Sequence, residues 1–576
     1  MFELLQDDKR TSILSEERNI LIMGGPGSGK TTIALFKAKE IVEKSSLKPG
    51  QKVLFLSFAR ATISRVEEQA GSLISKETKA VIEINTYHGF IWSILKKHGY
   101  LLTNLPLKLL PPHEAASKLA GVEKSQMPAV IKELFDKEGY IHFDLFAKLC
   151  NLLLSQSSSL RRIICDMYPI IMLDEFQDTN EDEWNLICTL GKNSKLIALA
   201  DPEQRIYDFR GADPKRISDY IAVFSPAIFN FGTENNRSNG TDIAKYGNDL
   251  LAGTNIENTY NNVAIRTYST CDSSMKHIYL KTKILAAIKW VKKETPDAWS
   301  IAILVPTNAL MLEVSDVLQR EQKFAKTVLP SIPHEVAIDA AGPSLAALTI
   351  ATLLDKGSCG TCTEKDVLEV LASHILGRKG NNSPTQKDSA MANTIARYIS
   401  TGKVSGKNRI ALVAECKRIS SEANAMQFSG NVINDWKMIV NCLANSSAPY
   451  ILQVVKDVKY LRLLQKGSQL HSALDVLWRN SHNYKHAVGA VSGAITQEHF
   501  SMSTKTWNGV NVMTIHKAKG KEFDVVIVYE GKFQGRFISS HERINQAKLN
   551  LRVAITRAKK HVLVLTPEDD PCHLII

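Results

Sequence analysis

The chain has 576 residues, a formal net charge of +12, 44% hydrophobic residues and 23% charged ones, so several soluble domains are expected rather than one core. No apolar run approaches the roughly 20 residues of a membrane-spanning helix. The mixed, acidic start MFELLQDDKR is neither a secretory signal nor a transit peptide, which makes the cytoplasm the default expectation.

In chain order, the apolar run NILIM (19–23) meets a glycine-rich turn and then a helical pattern, TTIALFKAKEIVEK. The spacing Gly24-x-x-x-x-Gly29-Lys30-Thr31 fits a phosphate-binding loop. Its glycines let backbone N–H groups approach phosphate oxygens, and the following helix offers its positive end. Gly24, Gly25, Pro26, Gly27, Ser28, Gly29, Lys30, Thr31 and Thr32 are therefore expected to hold a nucleotide. Lys30 reaches the β- and γ-phosphates and Thr31 holds Mg²⁺. KVLFLSF (52–58) reads as a second strand. Residues 91–165 are mainly helical in pattern, broken at LPLKLLPP, and read as an insertion. IIMLDE (170–175) is a strand ending on two acids. Asp174 is placed to orient Mg²⁺ and Glu175 to activate the attacking water. KLIALAD (195–201) completes the set, and the alternation with helices predicts an α/β domain with a parallel sheet.

A second series of strands follows at 262–269, 299–307, 509–516, 523–530 and 560–567, without a second phosphate loop. Residues 346–505 between them are mainly helical, with a polar loop at 377–389. The predicted organisation is a first α/β domain (1–90 and 166–235) with the 91–165 insertion, and a second (236–345 and 506–576) with the 346–505 insertion. The nine cysteines are odd in number and irregularly spaced, which predicts reduced core thiols. Cys359-x-x-Cys362 has only Cys416, Cys442 and His374 as loose companions for a metal site. Residues 361–500 carry 17 Lys/Arg against 10 Asp/Glu. Excess positive charge fits a solvated surface or a polyanion partner, usually nucleic acid.

Arginines that could neutralise charge on a transferring phosphate from across a cleft occur in TENNRSNG (Arg237) and VAITRAKKH (Arg557). With them the series GGPGSGKT, VLFLSFARAT, INTYHGF, LDEFQDTN, ADPEQRIYDFRGA, NNRSNG, VMTIHKAKGKEFDVVIV and VAITRAKKHVLVL resembles, in order, the motifs of the UvrD/Rep group of superfamily 1 DNA helicases. The resemblance implies two RecA-like domains with ATP between them and an accessory insertion in each. It also implies ATP hydrolysis coupled to 3′ to 5′ movement on single-stranded or partly duplex DNA. By resemblance, Gln177 and Gln204 sense the γ-phosphate, Arg237 and Arg557 reach it from the second domain, and Glu522 contacts the ribose. Ser57, Arg60, Thr86, His88 and His516 face DNA, and Tyr207 and Phe209 stack on its bases.

The sequence departs from the group in places. Lys9 stands where a glutamine usually reads adenine, with Gln6 displaced nearby. Asn236 replaces a tyrosine before the arginine of motif IV, and Arg552 replaces a tyrosine in motif VI. Strict adenine selectivity is thus open. The chain stops soon after motif VI, at CHLII, so no fused nuclease domain is expected. In size and overall character it resembles compact helicase subunits of phage-defence systems such as Gabija, which act beside a separate nuclease. DNA repair and antiviral defence, with or without a nuclease partner, are the expected settings. The alternative activity is a DNA-sensing ATPase that regulates such a nuclease without processive unwinding.

Overall fold

The long apolar runs become the inner strands of two six-stranded sheets in which every pairing is parallel. The structure, a computed structural model, describes residues 8–576 except 45–46, 59–65, 67–73, 124, 205–212, 214, 233, 271–272, 297, 325–326, 338–340, 381–382, 460–468, 501–506, 534 and 539–543. The first sheet contains β1 (Ile20–Met23), β2 (Val53–Ser57), β3 (Ile82–Thr86), β4 (Ile170–Leu173), β5 (Lys195–Ala200) and β6 (Ala227–Asn230), in the order β3-β2-β4-β5-β1-β6. The second contains β7 (Val263–Tyr268), β8 (Ser300–Val305), β9 (His334–Val336), β10 (Gly509–Thr514), β11 (Phe523–Tyr529) and β12 (Ala558–Pro567), in the order β9-β10-β8-β11-β12-β7. Strands covered on both faces read as unbroken apolar runs, and β2, β4 and β11 are buried at every residue. Edge strands β3, β6 and β9 are half-exposed and carry no such run, so the sequence reading passed over them.

Helix α1 (Asp8–Ser15) precedes the first sheet, α2 (Lys30–Glu43) follows the phosphate loop, and α3 (Tyr87–His98) follows β3. Helix α4 (Ile243–Ala252) enters the second sheet's half of the fold, α5 (Ala341–Ser358) opens the long helical stretch, and α6 (Ile544–Ile555) leads into β12. Ile20, Ile22, Ile33, Phe55, Met172 and Ile197 share one core, and Leu304, Met513, Val526 and Leu551 another.

Two compact units result: residues 1–102, 146–337 and 502–576 form the first, and 103–145 with 338–501 the second. Both sheets belong to the first. The expected boundaries at 91 and 165 differ from these because the helix Phe146–Gln156 buries Phe146, Leu149 and Leu153 and packs against α3 and the helix Glu181–Leu190 of the sheet unit. The two helical stretches, expected as separate insertions, contribute to one compact unit. Within it α5 is buried along most of its length and anchors a core that includes Ile350, Leu354, Trp436 and Ile451. The helix Pro112–Lys118 meets the helix Glu364–Gly377 so closely that a Cβ on Gly377 would lie 3.0 Å from the Ser117 nitrogen.

Candidate active site

The carboxyl ends of β1, β4 and β5 deliver three loops to one cleft, the place where open parallel sheets bind ligands. The first is the phosphate loop. Gly27 and Gly29 adopt φ of 80° and 89°, which side chains rarely tolerate. A Cβ on Gly27 would also come within 2.4 Å of Asn235 Oδ1. No side chain caps α2, so its first N–H groups remain directed at whatever the loop encloses. Lys30 Nζ donates to the carbonyls of Gly24 (2.5 Å) and Gly25 (3.0 Å). Burial holds its pKa below the usual lysine value, although Asp201, Glu175 and Asp174 oppose that shift. Ser28 is fully buried and its Oγ donates to Gly25 O at 2.9 Å, so its side chain shapes the loop from within.

The second loop carries the acids. Asp174 is buried, its N–H donates to Leu56 O at 2.8 Å, and Ser57 Oγ donates to its Oδ2 at 3.0 Å. Ser57 was expected at DNA; here its hydroxyl is engaged by the Asp174 carboxylate. The parallel register sets β2 beside β4, which turns Ser57 inward, fully buried, toward the carboxylate it orients. Glu175 sits at φ 53°, a left-handed conformation costly for a non-glycine residue and typical of functional sites. Burial pushes its pKa up, but Lys519, Lys30, a hydrogen bond from Gln177 and Arg557 outweigh burial and leave it below the ordinary glutamate value. Lys519 is buried, lies 3.6 Å from Glu175 Oε2 and pairs with Asp178. Gln177 links the second loop to the third: its Nε2 donates to Glu175 at 2.7 Å and its Oε1 accepts from the Asp201 N–H at 3.0 Å.

Residues from the second sheet's half close the cleft. Arg237 donates through Nε to Glu522 Oε1 at 2.8 Å and through Nη1 to Thr556 O at 2.9 Å. Arg557 is buried and bonds Val553 O (3.0 Å) and Thr556 Oγ1 (3.2 Å). Residues 26–32, Asp174, Glu175, Gln177, Asp201, Asn236, Arg237, Glu522 and Arg557 line a single open pocket. These residues fit a magnesium nucleotide: positive-φ glycines and an uncapped helix for phosphates, a hydroxyl and an oriented carboxylate for the metal, and cations on the opposite wall.

Among the described residues, Thr86, His88 and His516, expected at DNA, are not part of this pocket's lining. Thr86 is half-buried and its Oγ1 accepts from the Gly89 N–H at 2.8 Å, capping α3. His88 lies edge-on to Phe146, ring centroids 5.6 Å apart. His516 follows β10, with its pKa lowered by burial and by Lys519. Arg60, Tyr207 and Phe209 lie outside the described residues. Gln204 ends the turn 202–204, and its side chain is likewise outside them. His374, a loose metal candidate, is buried and bonds Asp457 at 2.8 Å.

Sequence reasoning missed Lys519 and Asp201 as site residues. Lys519 lies inside the HKAKGKEF stretch, so its motif was the available signal. The partners of Arg552 are remote in sequence and give no local signal.

Comparison with known proteins agrees with the geometry. The family model of the UvrD/REP helicase N-terminal domain matches residues 5–140 and 108–224, and that of the UvrD-like helicase C-terminal domain matches 480–568. Together they span more than half of the chain. A probable DNA helicase II homolog of Mycoplasma capricolum is 23% identical over 41% of this chain and 40% of that protein, so this chain spans about two fifths of that relative. The putative ATP-dependent DNA helicase YjcD of Bacillus subtilis is 20% identical over 98% of this chain and 79% of its own length. The ATP-dependent DNA helicase PcrA of Staphylococcus epidermidis is 22% identical over 96% and 82%.

Proposed function

Because this chain belongs to the UvrD/Rep helicase family, we propose that it hydrolyses ATP in the cleft between its two parallel sheets and uses the turnover to move 3′ to 5′ along single-stranded DNA. The observation that carries this reading is the shared pocket of Lys30, Asp174, Glu175, Arg237 and Arg557, the residue set that phosphoryl transfer to water requires. In it the phosphate-loop N–H groups and Lys30 hold the β- and γ-phosphates. Thr31 and Asp174 would hold Mg²⁺, with Ser57 fixing the carboxylate, and the metal would supply neutralisation of the phosphate charge. Glu175, kept ionised by Lys519 and Lys30, accepts the proton of the attacking water. Gln177 and Gln204 sense the γ-phosphate, and Arg237 and Arg557 stabilise charge on the transferring group. Glu522 contacts the ribose. Gly24, Gly25, Pro26, Gly27, Ser28, Gly29 and Thr32 complete the nucleotide site. Thr86, His88, His516, Arg60, Tyr207 and Phe209 hold single-stranded DNA. The four-part division into two motor domains with accessory insertions is proposed on the same grounds.

The test is the ATP hydrolysis rate with and without single-stranded DNA, beside the Lys30→Ala variant. Stimulation in the parent chain and no turnover in the variant, with DNA binding retained, support the reading. Normal turnover in Lys30→Ala contradicts it. An RNA strand that stimulates as well as DNA contradicts the choice of polymer. A repair or defence setting, and a nuclease partner, remain compatible with the same site.

A further inference from the structure

Arg552, where the family resemblance implies a tyrosine, has surroundings that give an arginine a purpose. It lies on α6, one turn before Thr556 and Arg557, and is 1% exposed. A buried guanidinium is tolerated only when its donors are matched. Here Nη2 meets Glu203 Oε2 at 2.7 Å, Nη1 donates to Glu203 O at 3.2 Å and lies 4.0 Å from Asp201 Oδ1. Nε and Nη2 donate to Asn248 Oδ1 at 3.3 and 3.1 Å. Asn248 lies on α4 in the same half of the unit as α6, whereas Asp201 and Glu203 follow β5 of the other sheet. The bond to Glu203 O fixes backbone as well as side chain, in the turn Pro202–Gln204. The guanidinium also backs the phosphate loop, since a Cβ built on Gly25 would lie 4.0 Å from Nη2. The stem passes beside Gly247 of α4, where a Cβ would lie 3.4 Å from Arg552 Cγ.

We propose that Arg552 is a positioning residue that clamps the 202–204 turn and the phosphate loop to the second sheet's half, and so sets the rate of ATP hydrolysis rather than the affinity for nucleotide. The proposal rests on the ATPase reading above. Its distinct content is that one side chain, through Glu203, fixes the backbone that carries Gln204 while α6 presents Arg557 to the same cleft.

A double-mutant cycle tests this, using Arg552→Gln, Glu203→Gln and both together. The readouts are kcat and KM for ATP at saturating single-stranded DNA, and binding of a fluorescent ADP analogue. Each single change is expected to lower kcat about tenfold or more, as misplacement of groups remote from the chemistry does. The double variant should be no slower than the slower single. KM and analogue affinity should stay within about threefold, and Arg552→Lys should recover part of kcat. Melting temperatures identify loss of folded protein. Multiplicative single effects, a change in nucleotide affinity equal to that in kcat, or unaltered kcat overturn the clamp. A parent chain that hydrolyses no ATP overturns the ATPase reading first, and the two failures are told apart by that control.

Discussion

Glu175 combines three pressures at one position: a left-handed backbone, burial and a surrounding of cations. Burial alone would raise its pKa and disfavour the ionised form a base needs. The cations reverse the sign, so the ionised carboxylate is favoured to lower pH than in an ordinary glutamate. Removing Lys519 as Lys519→Met lets burial dominate. The acid limb of the kcat–pH profile should then move to higher pH; an unmoved limb contradicts the role given to Lys519. Arg557→Ala should slow hydrolysis about a hundredfold or more with nucleotide binding retained, the loss typical of a group that stabilises transition-state charge. Single-turnover hydrolysis and equilibrium binding separate those quantities. Ser57→Ala removes a hydrogen bond to a charged group, worth about 1.5–3 kcal/mol. It should raise the Mg²⁺ concentration for half-maximal activity, and an unchanged Mg²⁺ titration would show that Asp174 needs no such orientation. At this scale the phosphate loop and the acids were legible because their residues are contiguous. The Ser57–Asp174 bond was not legible because it depends on sheet register, nor the Arg552–Glu203 bond, because its partners are 349 residues apart.

At the scale of elements, buried strands and the edge strand β7 were legible, whereas edge strands β3, β6 and β9 were not. A strand covered on both faces must be apolar throughout, whereas β3 alternates buried and half-buried positions and resembles many non-strand segments. The cap of α3 links such an edge strand to function. Thr86 ends β3 and its Oγ1 receives the Gly89 N–H, so the residue expected to touch DNA also starts the helix bearing His88. Thr86→Ala should cost about 1 kcal/mol of stability, as lost caps do, and should also weaken DNA binding. Denaturant midpoints and a binding titration distinguish the two effects. Loss of stability with unaltered DNA affinity would reduce Thr86 to a cap.

Across the whole molecule, the alternating strands and helices announced two sheets with interruptions, and the comparisons bear out the α/β helicase fold. That the two interruptions share one compact unit was not legible, because the contact between Gly377 and the Ser117 backbone joins segments distant in sequence. The net charge of +12 suits a polyanion partner as well as a solvated surface. Affinity for single-stranded DNA should then fall linearly on a log–log plot against salt, with a slope set by the number of phosphates neutralised. A salt-independent affinity contradicts a phosphate-tracking interface. Whether turnover performs transport or only signals to a partner is decided by strand displacement. With ATP and Mg²⁺, the protein should separate duplexes bearing a 3′ single-stranded tail and leave 5′-tailed duplexes paired. DNA-stimulated hydrolysis with neither duplex separated would contradict the helicase account and favour an ATPase that regulates a nuclease.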